Sequence, residues 1–384
     1  MKTKLPEGWE EVELGEVCEL IMGQSPPGES YNEIKNGTPF FQGKAEFNNR
    51  YPTIKKWTTQ PCKLAKPNDI LMSVRAPVGS INICNVDCCI GRGLAAIRCR
   101  NNVIYEYLYL ILNFLEEKIC NLGTGSTFKS ITSKQLSTIK IPLPPPSTQK
   151  KIVSILEKAE KAKEWRKEAD KLTNDFLKAV FMEMFLSDKD KFQVKELNEV
   201  CETSSGGTPS RDKKEYWENG TILWVKSGEL DKGYIYDTEE KITENGLEKS
   251  SAKYFDPETV LLAMYGATVG KAALLKVKAT TNQAICGIKP KNNSTLNSIY
   301  LLHILFSLKE KLISKSIGGG QPNISQSIIK ETKIPIPPLS LQHKFASIVR
   351  GVEQMKEQQK YSKEQIDNLF NALMQKAFKG ELVI

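Results

Sequence analysis

The chain is written twice. IPLPPPSTQKKIVSIL at residues 141 to 156 returns as IPIPPLSLQHKFASIV at residues 334 to 349. LGEVCE, from Leu14, returns as LNEVCE, from Leu197, and the match then runs on without a gap. Gly23-Gln24-Ser25-Pro26 meets Gly206-Gly207-Thr208-Pro209, Gly37-Thr38 meets Gly220-Thr221, and Phe40-Phe41 meets Leu223-Trp224. Further on, ILMSVRAPVGS (Ile70 to Ser80) meets LLAMYGATVGK (Leu261 to Lys271), and GRGLAAIR (Gly91 to Arg98) meets NQAICGIK (Asn282 to Lys289). A register held this long marks a tandem duplication, with about ten extra residues of the second copy falling between matched segments, in loops.

Each copy runs from short apolar runs with Gly/Pro turns into a long helical pattern. ILMSVRAPVGSINIC and TVLLAMYGATVGKAALL read as buried strands broken by turns, whereas YEYLYLILNFLEEKI and YLLHILFSLKEKLI have helical spacing. The expected fold class is α/β: two similar globular domains, at 1–146 and 188–339, separated by two long antiparallel coiled-coil helices, at 147–187 and 340–384.

The proline runs stop the preceding structure, since proline lacks an amide donor and biases its predecessor away from helix. Ser147 and Ser340 then stand where an N-cap belongs. Ile152, Ile155, Ala159, Ala162, Ala169 and Phe176 form one heptad-like seam. Phe345, Ile348, Val352, Met355, Ile366, Leu369 and Leu373 form the other, interrupted by Gln359 and Ser362. Thr148 to Phe185 would extend about 57 Å at 1.5 Å per residue, more than a surface helix on a domain of this size needs. The expectation is a rod that relates two domains by a pseudo-two-fold axis, as readers of DNA half-sites do.

Net charge agrees with a polyanionic partner: 54 Lys and Arg against 45 Asp and Glu leave +9. Nine scattered cysteines and a start, MKTKLPEGWEEVEL, without an apolar export core suggest reduced thiols and a cytoplasmic protein. No stretch approaches the ~20 apolar residues of a membrane span.

Catalytic chemistry is sparse. The two histidines, His303 and His343, lie in an apolar helical run and at a helix start, and both read as structural. Cys84, Cys88 and Cys89 offer neither a C-x-x-C pair nor a nearby histidine for zinc. GATVGKA (Gly266 to Ala272) is one residue short of a phosphate loop between its glycines, and Ala272 stands where a magnesium-binding Ser or Thr belongs. There is no dinucleotide fingerprint and no Asn-Pro-Pro-aromatic run of amino-methylating DNA enzymes. The chain therefore reads as non-catalytic, with no metal and no cofactor of its own.

LPEGWEEVELGEV at the start, the two IP-x-PP segments with Gln149 or Gln342 opening a long helix, and AFKGEL near the end resemble the specificity subunit of type I restriction-modification systems. The resemblance covers essentially the whole chain. It implies two target recognition domains, each reading half of a bipartite sequence in double-stranded DNA. It also implies two modification (methyltransferase) subunits carrying S-adenosylmethionine and docking on the helices, with restriction (endonuclease/translocase) subunits beside them. Because the copies differ outside their matched framework, the two half-sites should differ too.

Base readers are expected in the variable loops that follow matched framework. In the first copy these are Gln24, Ser25, Gln42, Lys44, Arg75, Arg92, Ser126 and Lys129. In the second they are Thr208, Ser210, Lys226, Ser227, Tyr265, Gln283, Gln321 and Asn323. Two other classes compete with this reading. A stand-alone DNA-binding regulator would bind without partners and need no exposed apolar faces along the rod. A methyltransferase or nuclease with a divergent site would bind a cofactor or metal in isolation.

Overall fold

A computed structural model describes residues 5–100, 102–123, 129–188, 191–315 and 323–382. The architecture is mixed α/β, in two compact units: Met1–Lys167 with Tyr361–Ile384, and Glu168–Lys360. Each unit therefore takes in part of each long helix.

In the first unit, Ile70–Ser73 is buried along its whole length, which is why ILMS shows no polar alternation. It lies inside a four-stranded antiparallel sheet, in the order Cys18–Met22, Leu94–Cys99, Ile70–Ser73, Ile81–Ile83. A second sheet runs in the order Tyr31–Asn32, Lys56–Thr58, Thr38–Phe41, Cys88–Ile90, Leu64–Ala65, with Thr38–Phe41 parallel to Cys88–Ile90. The helix Tyr105–Phe114 buries Tyr107, Leu108 and Leu110 to Leu112 in the same core as Ile70, Met72, Ala95 and Ile97. The helical pattern breaks at Leu115, and Glu116–Leu122 follows as a separate helix.

The second unit repeats the plan. Its larger sheet runs Cys201–Ser205, Ile285–Pro290, Val260–Ala263, Ala272–Leu275, Tyr234–Ile235, and its smaller one Glu240–Ile242, Ile222–Val225, Thr280–Thr281. The helix Ser298–Ser314 is a single element, N-capped by Asn297. In both units the residues ahead of the proline run form a strand that pairs with the unit's first strand: Lys140–Leu143 with Glu10–Glu13, and Lys333–Ile336 with Gln193–Glu196.

Strand register corrects the alignment of the copies at two places. Phe40 pairs with Lys56 and Cys89, and Trp224 pairs with Glu240 and Thr280, so Phe40 corresponds to Trp224 rather than to Leu223. Ile70 pairs with Ile97 and Ile83, and Val260 with Ile288 and Leu274, so Ile70 corresponds to Val260 rather than to Leu261. Neighbouring large apolar residues satisfy a sequence match in either register. A one-residue slip would nevertheless turn each of them to the opposite face, and the pleat decides between the two.

The long helices span Pro146–Phe185 and Leu339–Lys379. Neither serine caps its helix. Pro146 already holds the first helical position, where its missing N–H costs nothing, and the Pro145 carbonyl accepts from the amides of Thr148 and Gln149. Pro338 does the same for Leu341 and Gln342. In the first unit, Ile152, Val153 and Leu156 share the core with Met374, Ala377 and Phe378, and Lys163 pairs with Asp367 at 3.0 Å. In the second unit, Phe345, Ala346, Val349 and Val352 share the core with Leu177, Phe181 and Phe185, and Gln359 Nε2 donates to Thr173 Oγ1 at 2.9 Å. Within each unit the two helical segments thus run antiparallel. The seam differs from the expected heptads in detail, since Phe176, Met355 and Leu369 are exposed while Leu177, Phe181 and Val349 are buried.

Candidate functional site

Backbone hydrogen bonds bring the candidate loops of each unit to one edge. In the first unit, Gly23 N donates to Leu94 O, Gln24 N to Ile90 O, Gly91 N to Phe41 O, and Val74 N to Gly93 O, all at 2.8–3.0 Å. Arg92 N reaches Ser25 Oγ at 3.4 Å, and Arg75 is bridged to Ser130, next to Lys129. Gln24, Ser25, Gln42, Arg75, Arg92 and Lys129 therefore lie on adjoining loops. All but the half-buried Ser25 are exposed. Lys44 sits further along, in the short 3-10 turn Lys44–Glu46. Among the described residues, Lys44, Arg75, Arg92 and Lys129 have no carboxylate within ion-pair distance.

Glycine is required at Gly23 because a Cβ there would lie 2.2 Å from the Gly91 carbonyl oxygen. Gly206 has the same constraint against Thr281 in the second unit. The glycines that open both variable loops thus serve close backbone contact.

The second edge is built alike. Gly206 N donates to Ile285 O, Gly207 N to Thr281 O, Asn282 N to Val225 O, and Met264 N to Ala284 O. Tyr265 is bridged to Asn323, and Thr208 Oγ1 donates to Gln283 Oε1. Ser210, Gln283 and Asn323 are exposed, while Thr208, Lys226, Ser227 and Tyr265 are half-buried. Burial pushes the Tyr265 phenol up, so it presents a proton rather than a charge. Lys226 is not an open cation, because its Nζ lies 2.9 Å from Glu239 and 3.0 Å from Glu240. Those carboxylates raise its pKa; Lys226 lowers that of Glu239, and at Glu240, where burial pulls upward, Arg211 and Lys226 together bring the pKa below the ordinary value. Ser227 begins the turn Ser227–Lys232, and among the described residues its side chain makes no hydrogen bond to the other candidates. Ser126 and Gln321 lie outside the described residues.

Position matching missed Arg211, which stacks on Trp217 in the same variable loop as Thr208 and Ser210. Its counterpart position in the first copy holds Gly28. The available signal was the basic, aromatic run RDKKEYW.

Groups that could suggest catalysis are occupied otherwise. His303 is packed among Phe181, Phe306 and Phe345, and burial lowers its pKa to about 4. Lys271 of the phosphate-loop look-alike pairs with Asp231 at 2.5 Å. All nine cysteines are free thiols, with Cys84 Sγ 3.3 Å from Cys88 Sγ. Among the described residues, no group of three or more His, Cys, Asp or Glu is placed to hold a metal ion.

The family model for the type I restriction modification DNA specificity domain matches twice, over residues 6–172 and 189–368. The chain belongs to that family. Its tandem specificity domains correspond to the two copies read from the repeat, and its role is DNA sequence specificity. A putative type I restriction enzyme specificity subunit (MjaX) of Methanocaldococcus jannaschii is 49% identical over 156 residues, covering 40% of this chain and 37% of that relative. The MjaIX specificity subunit of the same organism is 25% identical over 381 residues, covering 90% of this chain and 87% of the relative. Among solved structures, the specificity subunit from M. genitalium shares the fold with a TM-score of 0.57 at 17% identity, covering 98% of both chains. A chain from a study of complex assembly and conformational transition of the type I system has a TM-score of 0.70 at 21% identity, covering 99% of this chain and all of that one. Among the described residues, no helix is long and apolar enough to cross a membrane.

Proposed function

We propose that each unit reads one half of an asymmetric, bipartite site in double-stranded DNA, with the two long helices as spacer and docking surface for two modification subunits. One observation carries this reading: the same backbone frame presents different chemistry in its two copies. Around that frame the first unit sets Gln24, Arg75 and Arg92 where the second sets Gly207, Tyr265 and Gln283. A frame held constant under changing side chains is how one fold addresses unlike base sequences.

In this reading the chain is a non-catalytic subunit of a cytoplasmic complex. S-adenosylmethionine is held by the modification subunits, and restriction subunits join them. Exposed apolar side chains on the helices support docking: Trp165 and Leu369 in the first unit, Leu172 and Phe176 in the second. A stand-alone regulator has no use for them.

Base-resolution methylation mapping of the source genome, with and without the gene, tests the proposal. The expected result is loss of a split, adenine-methylated motif with unlike halves. A palindromic motif, or methylation that survives deletion unchanged, overturns it.

A further inference from the structure

We propose that Arg211 is a specificity-determining residue of the second unit, presenting the Nε and Nη2 edge of its guanidinium to a pair of acceptor atoms on DNA. The inference rests on the DNA-reading function above and adds to it the residue and the chemistry of its ligand.

Three restraints fix the guanidinium. Its Cζ lies 3.6 Å from the centroid of the Trp217 ring and 4.9 Å from that of Trp224. Nη1 donates to Glu240 Oε2 at 2.5 Å. The two indoles meet edge-on, at 88° and 4.9 Å, and they staple the loop that carries Arg211. Trp217 Nε1 donates to Ser210 O, and Trp224 Nε1 to Gly207 O, both at 3.0 Å. An arginine on a surface loop ordinarily surrenders side-chain entropy when it binds, whereas one held by stacking and a carboxylate has surrendered most of it already.

What remains available is chemically specific. Glu240 takes Nη1, and among the described residues no acceptor is bonded to Nε or Nη2. The Arg211 side chain is 53% exposed and shares its loop with Thr208 and Ser210. Two parallel N–H donors match the O6 and N7 acceptors of guanine in the major groove, and they match two oxygens of a phosphate equally well. Glu240 also pairs with Lys226, so the local positive charge is largely neutralised. Shape rather than field is then what Arg211 offers.

The device belongs to one unit only. The first-unit residue paired with Phe40, as Glu240 is with Trp224, is Lys56, and position 28 holds glycine in place of Arg211. Arg211 should therefore act on one half-site and leave the other untouched.

The test is selection of duplex targets from a random library by the full chain, followed by affinity measurements on the selected sites. The unsubstituted chain should select a two-part motif; if it selects none, the DNA-reading function itself fails and Arg211 is not at issue. With that motif in hand, Arg211→Ala should alter one half and preserve the other, which also shows that the variant folds. Relaxation at a single guanine, with a loss of about tenfold or more when 7-deazaguanine replaces it, identifies the base edge as the ligand. A uniform loss across second-half sequences, with the salt slope reduced by about one, identifies a phosphate contact and overturns the role in specificity. Arg211→Lys keeps the charge and removes the planar donor pair, so it should not rescue. Unchanged selection by Arg211→Ala, or full rescue by Arg211→Lys, overturns the proposal.

Discussion

Gln149 Oε1 accepts a hydrogen bond at 2.9 Å from the backbone amide of Ile104, just ahead of the helix Tyr105–Phe114. The same side chain donates from Nε2 to the carbonyls of Asn102 and Pro144, at 2.8 and 2.9 Å, and is fully buried. Gln342 repeats the arrangement with Asn297 N, Thr295 O and Pro337 O. Only an amide can accept from one backbone group and donate to two others at such a corner. Gln149→Ala would strand a buried N–H and two carbonyls, for a cost of about 2–3 kcal/mol. We expect the loss in the urea unfolding of the first unit for Gln149→Ala and of the second for Gln342→Ala, followed by hydrogen exchange. The selected DNA motif should stay unchanged.

The proline-glutamine corner was the most legible part of the fold, because its residues recur with fixed spacing and each has a backbone task. Tyr107 and Tyr300, whose hydroxyls donate to Pro142 O and Pro335 O, belong to the same corner. Their task could not be read, because nothing in sequence ties a tyrosine in an apolar helical run to a distant carbonyl. Phe40 and Trp224 were matched one residue out, since neighbouring large apolar residues hide a slip that only strand pairing reveals. Phe176 fits the helical seam by spacing, but its neighbour Leu177 is the residue buried there. The candidate site was legible as loops and not as partners. Gln24 and Arg92 follow from position, while the carboxylates that hold Lys226 arrive from Glu240, which opens the strand Glu240–Ile242, and from Glu239 just ahead of it.

An ion pair of the first unit should matter far more than its nearest counterpart in the second. Arg98 holds the buried Asp69 with Nε to Oδ1 at 3.0 Å and Nη2 to Oδ2 at 2.9 Å. Lys289, the residue matched to Arg98, pairs with Asp256 on the exposed surface at 2.5 Å. Arg98→Ala leaves a carboxylate buried without its cation and should cost about 3–5 kcal/mol. Lys289→Ala should fall within about 1 kcal/mol of the unsubstituted chain. Equal shifts in chemical unfolding would contradict this.

Lys226 separates charge from contact. Replacing it with glutamate sets a third carboxylate beside Glu239 and Glu240, at the edge that carries Thr208 and Gln283. Affinity for sites containing the second half should fall by about tenfold at low salt, with the deficit shrinking as salt rises. Glu239→Gln should shift it the opposite way. Affinity unaltered by Lys226→Glu at both low and high salt would remove this residue from the interface.

Acid should loosen the second unit through His303. In the fold its ring lies 4.9 Å from that of Phe345 and 5.5 Å from that of Phe306, and its pKa falls to about 4 from an ordinary 6.5. Burial is the larger cause and the nearby Lys356 ammonium the smaller. A folded pKa below the unfolded one means that the neutral ring favours folding. That stability is fully present above about pH 6.5, and it is lost progressively as pH falls to about 4, because the unfolded chain takes up the proton first. The loss amounts to roughly 3 kcal/mol at the acid end of that window. Chemical unfolding of the second unit followed between pH 7 and 4 should show this slope, and His303→Phe should flatten it. A slope that persists in the variant would assign the acid sensitivity to other groups.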